Sequence, residues 1–363
     1  MDNISLQYLT ETRRKLHAMA ELSCREYKTS DFVYSELKRF GYKPKRIGTG
    51  VFCDGGKGNM IALRADIDAL PIKENTAVTG CDFAAEGNVM HACGHDGHTA
   101  NLLNVARITA GTKRNVRFIF QFGEEGYGGS VEMINGGVLD GVDEIYALHL
   151  CPELDSGKIG YCYGGMFAGC VEFDCETRGK ASHCACPDEG NNAIASAIYL
   201  YDAIRAAAER NGLLFNLGKI EGGSARNIVP DKCVAEYTIR FYDGAKSEDV
   251  MMCAARAAAS ADDKFGTQTD IITREVYPPL INNALAVDKV RLVAGESAVE
   301  VKPRYTAEDF SNYLNKTPGC MVWLGIGGEG HRSPLHSDTF SFDEKSLLAG
   351  TELFLKLIEA HGI

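Results

Sequence analysis

Five groups of residues in this chain combine the side chains that bind first-row metals with carboxylates able to move protons. Asp66 and Asp68 stand in RADIDALP, Cys93 and His95 in HACGHDGH, Glu124 and Glu125 in FQFGEEGYGG, His149 in ALHL and His336 in LHSD. In a regular strand Cys93 and His95 would face the same way. Gly94 between them favours a tight turn instead, and either geometry lets both reach one centre. Glu124 and Glu125 cannot both ligate comfortably from one regular strand, so one can bind a metal while the other addresses a water molecule. That division suits metal-assisted hydrolysis, which needs a Lewis acid and a carboxylate that takes the proton of the water.

Taken singly, each group has a plainer reading. A Glu-Glu pair is commonly two exposed charges, and a lone His149 reads as a core histidine satisfied by a backbone carbonyl. His91 and His98 read as supports of the loop, His17 and His331 as structural or surface residues, and His361 as solvated. The placement of the groups gives them weight. Apolar runs at 60–63, 116–122, 145–150 and 321–326 read as buried strands. Asp66 and Asp68 follow the first, Glu124 and Glu125 the second, His149 ends the third, and His336 lies in the loop after the fourth. Cys93 and His95 sit just before a helix expected at about 98–110. Ligands of open α/β sheets bind outside the carboxyl ends of the strands, so these residues collect on one edge of one sheet.

Helical spacing at 4–22, 29–41 and 344–360 alternates with these strands. The expected fold is α/β, a mainly parallel mixed sheet with helices on both faces. The pattern changes near residue 168. Alternating segments at 171–177, 213–220, 232–241 and 268–276, with helices at about 191–209 and 247–264, give the order strand–helix–strand–strand–helix–strand. This is the split βαβ, ferredoxin-like arrangement. The expected organisation is a catalytic domain in two parts, 1–167 and 279–363, with an inserted α+β domain at 168–278.

A formal net charge of -11 argues against nucleic acid as a partner. The N-terminal segment reads as an amphipathic helix without the apolar core of a signal peptide, and no apolar run suggests a membrane span. Thirteen cysteines without a CxxC pair are expected as reduced, mostly buried thiols in a cytoplasmic protein.

The sequence resembles the hippurate hydrolase and auxin-conjugate hydrolase type amidohydrolases, within the aminoacylase and carboxypeptidase metallopeptidases. The resemblance runs through RRKLHAMAELSCREYKTS, ALRADIDALPIKE, MHACGHDGHTANLL, FQFGEEGYGGSVEMINGGVL, ALHL, GKASHCACP, GGSARNIVPD, AEDFSNYL and LHSDTFSFDE. It implies hydrolysis of N-acyl amino acids, or alternatively dipeptidase or carboxypeptidase activity, at a centre of two divalent ions. Zinc or manganese is expected, with cobalt or nickel as alternatives. By the same resemblance Cys93 is the ligand shared by both ions, with His95, Glu125, His149 and His336 as the others. Glu124 is the general acid/base and Asp68 orients the site. The inserted domain is a lid that also makes a homodimer, and in it His183, Asn227 and Arg240 meet the substrate. Rivals of another class are a catalytically silent metal- or ligand-binding protein and a cysteine-based redox or metal-storage protein. The chain departs from the family at Phe122-Gly123, ahead of the glutamates, and at Asp338, close to His336. Both departures bear on the substrate more than on the reaction.

Overall fold

The computed structural model describes residues 4–361 except 113, 127, 329 and 330. The chain forms two compact units. One comprises Met1–Met166, Ile281–Lys302 and Asp309–Ile363; the other comprises Phe167–Leu280 and Pro303–Glu308. The return of 303–308 to the second unit leaves no trace in hydrophobic periodicity. It rests on backbone pairing, in which the Ala168 amide faces the carbonyls of Arg304 (3.1 Å) and Thr306 (3.0 Å).

An eight-stranded sheet forms the centre of the first unit. Its spatial order is Lys45–Ile47, Gly50–Asp54, Val116–Gln121, Met60–Asp66, Val142–Asp155, Gly319–Gly327, Ile159–Tyr161 and Ala298–Glu300. The four strands from Val116–Gln121 to Gly319–Gly327 are parallel, and the strands on either side of them join antiparallel. MIALRAD, VRFIFQ and GCMVWLGIG are buried at every position. That is why the sequence shows continuous apolar runs here rather than alternation. Helix His95–Thr109 is buried at nearly every residue and packs on Met60–Asp66, with helices Leu6–Ala18 and Leu347–His361 against it.

Two boundaries differ from expectation at positions that matter. The helix begins at His95 rather than near residue 98, because Gly94 at φ +84° turns the chain directly into it. A Cβ on Gly94 would also come 2.6 Å from Leu150 Cδ1, so the turn needs glycine on both counts. The strand expected at 145–150 runs from Val142 to Asp155, so His149 lies inside it and not at its end. Pairing with Met60–Asp66 stops at Arg64↔Ala147, while pairing with Gly319–Gly327 carries the strand onward. His149 therefore stands two residues past the last paired position with that neighbour.

The second unit is a four-stranded antiparallel sheet in the order Gln268–Tyr277, Gly169–Arg178, Lys232–Phe241, Leu214–Gly222. In chain order that is fourth, first, third and second, the split βαβ topology. Helices Ala193–Asn211 and Gly244–Phe265 pack on each other and on one face. On that face Ala235, Tyr237, Ile239 and Phe241 are buried with Leu200, Ile204 and Val250, and Cys233 with Ala193 and Ala197. Tyr237 stacks between Phe173 (5.1 Å) and Phe215 (5.7 Å). The intervening residues Val234, Glu236, Thr238 and Arg240 are half-buried, which accounts for the strict alternation in the sequence. Asn192 and Asp243 accept hydrogen bonds from the first-turn amides of the two helices, and Gly212 and Gly266 end them in the left-handed conformation.

Among the described residues no helix is long and apolar enough to cross a membrane. All thirteen cysteines are free, and eight of them are buried. His361 is not solvated as expected: its side chain is 14% exposed, and its ring nitrogens lie 3.8 Å from Asp143 and Glu144.

Candidate metal centre

The five expected ligands and Glu124 converge in the first unit. Cys93 Sγ lies 3.3 Å from His149 Nε2 and 3.3 Å from His336 Nε2. Glu125 Oε1 is 3.4 Å from His336 Nε2 and 3.8 Å from His95 Nε2. Three overlapping groups result: Cys93, His95 and His149; Cys93, Glu125 and His336; and His95, Glu124 and Glu125. Cys93 belongs to two of them.

Two of the three imidazoles are turned by their second nitrogen. His149 Nδ1 is 2.9 Å from the Leu150 carbonyl, and His95 Nδ1 is 3.0 Å from the Asp68 carbonyl and 3.2 Å from Asp68 Oδ1. Both Nδ1 atoms therefore carry the proton and donate, which leaves the Nε2 lone pairs facing inward. His336 is held by its backbone, whose amide donates to the Ala92 carbonyl (2.9 Å) at φ +62°. Positive φ is costly for a non-glycine residue and persists only where the surroundings enforce it. Its side chain is 54% exposed, whereas Cys93, His95 and His149 are buried.

The glutamates sit past the end of Val116–Gln121, in a turn at 124–126. The Gly129 amide donates to the Gly123 carbonyl (3.1 Å) and closes the base of this loop. A Cβ on Gly129 would stand 1.8 Å from the Phe122 carbonyl oxygen, so only glycine closes it. Two anchors hold the loop. Asp68 Oδ2 accepts from the Glu125 amide (2.9 Å) and from Ser23 (2.6 Å), and buried Glu26 accepts from the Gly123 amide (3.0 Å). Asp68 thus touches His95 with one oxygen and the glutamate loop with the other. Burial pushes its carboxyl up, but the His95 and Ser23 hydrogen bonds and the His95 charge outweigh this and hold it below the ordinary range. Phe122 lines a cavity of about 640 Å³ with Cys24, Tyr27, Arg46 and Glu132, and none of the expected ligands lines that cavity. Asp338 is exposed, and its backbone carbonyl accepts from Asn75 (2.9 Å).

These donors fit a cation. His95 Nε2 and Glu125 Oε1 are buried without hydrogen-bond partners, an arrangement that costs free energy unless something binds them. Burial and the carboxylates of Glu125, Glu124 and Asp66 push the Cys93 thiol well above its ordinary range. A divalent ion reverses that sign by stabilising the thiolate.

Sequence reasoning gave no role to Ser23, Glu26 and Arg64, which stand behind the centre with Asp66 and His98. Asp66 accepts from His98 Nδ1 (2.6 Å) and from Arg64 (2.7 Å), and the second nitrogen of His98 accepts from the Leu150 amide (3.0 Å). His98 does support the loop, and it does so by tying Met60–Asp66 to the strand of His149. Ser23 and Glu26 belong to the SCRE segment, which lies between the helices expected at 4–22 and 29–41, where no periodicity marks a polar task. Arg64, a charge inside an apolar run, was the available signal for the network it forms with Asp66, Gln121 and Asp309.

The second unit brings His183 and Asn227 together. His183 bridges Ile228, and the Cys184 amide donates to the Asn227 carbonyl (3.0 Å). Both residues are exposed. His183 Nδ1 accepts from the Ala185 amide (3.1 Å), so the neutral ring carries its proton on Nε2, as a free donor. Arg240 stands apart on Lys232–Phe241, opposite Cys170, with Nη2 3.4 Å from Glu172 Oε1.

A buried cluster of thiol, imidazole and carboxylate beyond the ends of parallel strands defines a metal-dependent hydrolase. The pattern of peptidase family M20/M25/M40 matches residues 62–360, and the chain belongs to that family. It is 34% identical over 354 residues to an N-acetyl-L-cysteine deacetylase of Bacillus subtilis, covering 93% of this chain and 84% of the relative. It is 32% identical over 380 residues to an N-acetyldiaminopimelate deacetylase of Pediococcus pentosaceus (97% and 96%). With thermostable carboxypeptidase 1 of Saccharolobus solfataricus it shares 33% over 369 residues (94% and 92%). The crystal structure of a dinuclear metal-binding M20 peptidase from Bacillus subtilis matches with a TM-score of 0.86 at 28% identity, covering 98% of both chains. The protein is a metal-dependent amidohydrolase of the metallopeptidase class.

Proposed function

We propose that the enzyme hydrolyses the amide of an N-acyl amino acid to a carboxylic acid and a free amino acid. The observation that carries this reading is the convergence of three Nε2 atoms and Glu125 on Cys93, with Glu124 beside them. Cys93, His95, Glu125, His149 and His336 would hold two divalent ions, and zinc or manganese suits the donor set. Such ions, when bound, supply Lewis acidity and activate water at neutral pH. Glu124 accepts the proton of the attacking water and returns it to the departing amine nitrogen. Asp68 keeps His95 and the glutamate loop in register. In the second unit, the Nε2–H of His183 stabilises the oxyanion that grows on the amide carbonyl, and Arg240 or Asn227 holds the carboxylate of the amino acid. That unit also closes over substrate and forms a homodimer, with His183 serving the neighbouring subunit.

Two of the relatives above act on N-acetyl amino acids, which favours a small acyl group. The carboxypeptidase relative supports a second reading, peptide cleavage at the same centre. A panel of N-acetyl, N-benzoyl and longer N-acyl amino acids with dipeptides, assayed by amine release after metal stripping and reloading, decides between them. Full turnover by rigorously stripped enzyme would sink both.

A further inference from the structure

Away from the centre, the first unit holds another set of donors that the proposed reaction does not use. His17 of helix Leu6–Ala18, Glu74 and Cys81 place an imidazole nitrogen, a carboxylate oxygen and a thiol within 4.8 Å of one another. His17 and Glu74 side chains are 1% and 5% exposed, and Cys81 is half-buried, which leaves a path from solvent. We propose that these three residues form a further site for a divalent cation of zinc type, independent of the hydrolytic centre.

The arrangement around the donors is that of a ligand set. His17 Nδ1 lies 2.8 Å from Asp96 Oδ2, which fixes the proton on Nδ1 and presents Nε2 outward. Metal-binding imidazoles are commonly held in this way by a carboxylate behind them. Nε2 then faces Glu74 Oε2 at 3.0 Å, lone pair against lone pair, and a positive species must join the two. The other oxygen of Glu74 accepts from Thr79 Oγ1 (2.9 Å), so Oε2 is the one left for a cation. The Cys81 amide donates to the same Thr79 hydroxyl (3.3 Å), which ties the thiol-bearing residue to the carboxylate. His91 stands alongside, its ring centroid 6.2 Å from that of His17, buried and with neither nitrogen partnered. The three donors leave a fourth position of the tetrahedron for water.

The charges balance. A neutral imidazole, one carboxylate and one thiolate cancel a divalent ion, and binding releases two protons to solvent, that of the Cys81 thiol and the one between His17 and Glu74. A hard ion such as magnesium does not suit this donor set; zinc or cobalt does. The site fastens the N-terminal helix to the 74–81 segment. The competing occupant is a proton, with an imidazolium lying between Asp96 and Glu74.

The test is metal content of the full-length enzyme after equilibration with zinc and removal of free ion. Cys81→Ser should hold one ion fewer per chain than the parent, whatever the count at the hydrolytic centre, and should keep its turnover. Cys93→Ser should lose ions from the centre while retaining the one at Cys81, so failure of either reading is seen separately. Zinc should slow alkylation of Cys81, followed by peptide mapping, by about tenfold or more relative to the chelated enzyme. Thr79→Val should weaken this ion's affinity by roughly 10–100-fold, the usual cost of losing a hydrogen bond behind a ligand. Equal zinc content in parent and Cys81→Ser, with alkylation of Cys81 indifferent to zinc, would overturn the proposal in favour of the proton.

Discussion

The donors of the first unit and the substrate residues proposed for the second are held in opposite ways. Cys93, His95 and His149 are buried, and the two histidines each have one nitrogen committed to a carbonyl or carboxylate. His183 and Asn227 are exposed and are placed by backbone pairing between two loop segments. The first arrangement is preorganised at a cost: acids, a thiol and unpartnered nitrogens share a dry space that a cation must neutralise. The second costs little and, alone, does little. Its one prepared feature is the Nε2 donor left free on His183. Chemistry that needs precise geometry is built into the buried set, while recognition is left to groups that act only when substrate arrives.

The largest expected effect tests whether the buried set divides base from ligand. Glu124→Gln should keep its metal and lose about 10²–10⁴ in turnover, the usual worth of general acid–base catalysis. Glu125→Gln should instead lose metal, measured as ions per chain after dialysis. The reverse pattern would exchange the roles of the two glutamates.

His183→Ala sharpens the other side of the comparison. Loss of one oxyanion donor should lower kcat by about 10²–10³ with metal content unchanged. Mixing inactive Glu124→Gln and His183→Ala subunits under conditions of exchange should restore activity, because one site in the mixed dimer then has both groups. Exchange without recovery would confine His183 to its own subunit or remove it from catalysis.

The sequence revealed more of the first arrangement than of the couplings behind it. HACGHDGH and GEEG are contiguous, so their chemistry is visible along the chain. Asp66, His98, Arg64 and Asp309 meet only because the fold brings a strand, a helix and the turn at 309 together across as much as the span from 64 to 309. No local pattern encodes such a meeting. The split βαβ unit was readable because one covered face enforces alternation. The 303–308 segment was not, because it joins through backbone hydrogen bonds that carry no side-chain signature. His149 fell inside a strand rather than at its end because apolar residues continue past it, and only the register shows where the neighbouring strand stops.

Asp68 lies between the two extremes, since it does its work through His95 and the Glu125 amide. Asp68→Asn keeps the size but not the charge. It should reduce metal affinity by roughly 10–100-fold, and excess metal should restore much of the rate. A variant that binds metal normally yet turns over poorly would move Asp68 from positioning to the reaction itself.

The smallest effect expected is at Glu26, which pegs the loop of Glu124 and Glu125 through the Gly123 amide while also accepting from the Cys24 amide (2.9 Å) and Thr49. Burial pushes its carboxyl up, and the hydrogen bonds only partly offset this. An acid whose folded value exceeds its unfolded value stabilises the fold fully below the unfolded value and loses that contribution as pH rises through the folded one. Parent stability should therefore fall slightly as pH rises from about 4, the ordinary carboxylate range, toward neutrality. Glu26→Gln lacks this titration and keeps one amide oxygen for Gly123. Its melting temperature relative to the parent should rise with pH over that range. Against this, loss of a charged acceptor costs about 1–2 kcal/mol, a shift of about 2–4 °C at most in a chain of this size. Calorimetry at pH 4.5 and 7 separates the two contributions, since only the titration changes between them. A difference in melting temperature that is the same at both pH values would mean that Glu26 is already ionised throughout, and that hydrogen bonding rather than burial sets its charge.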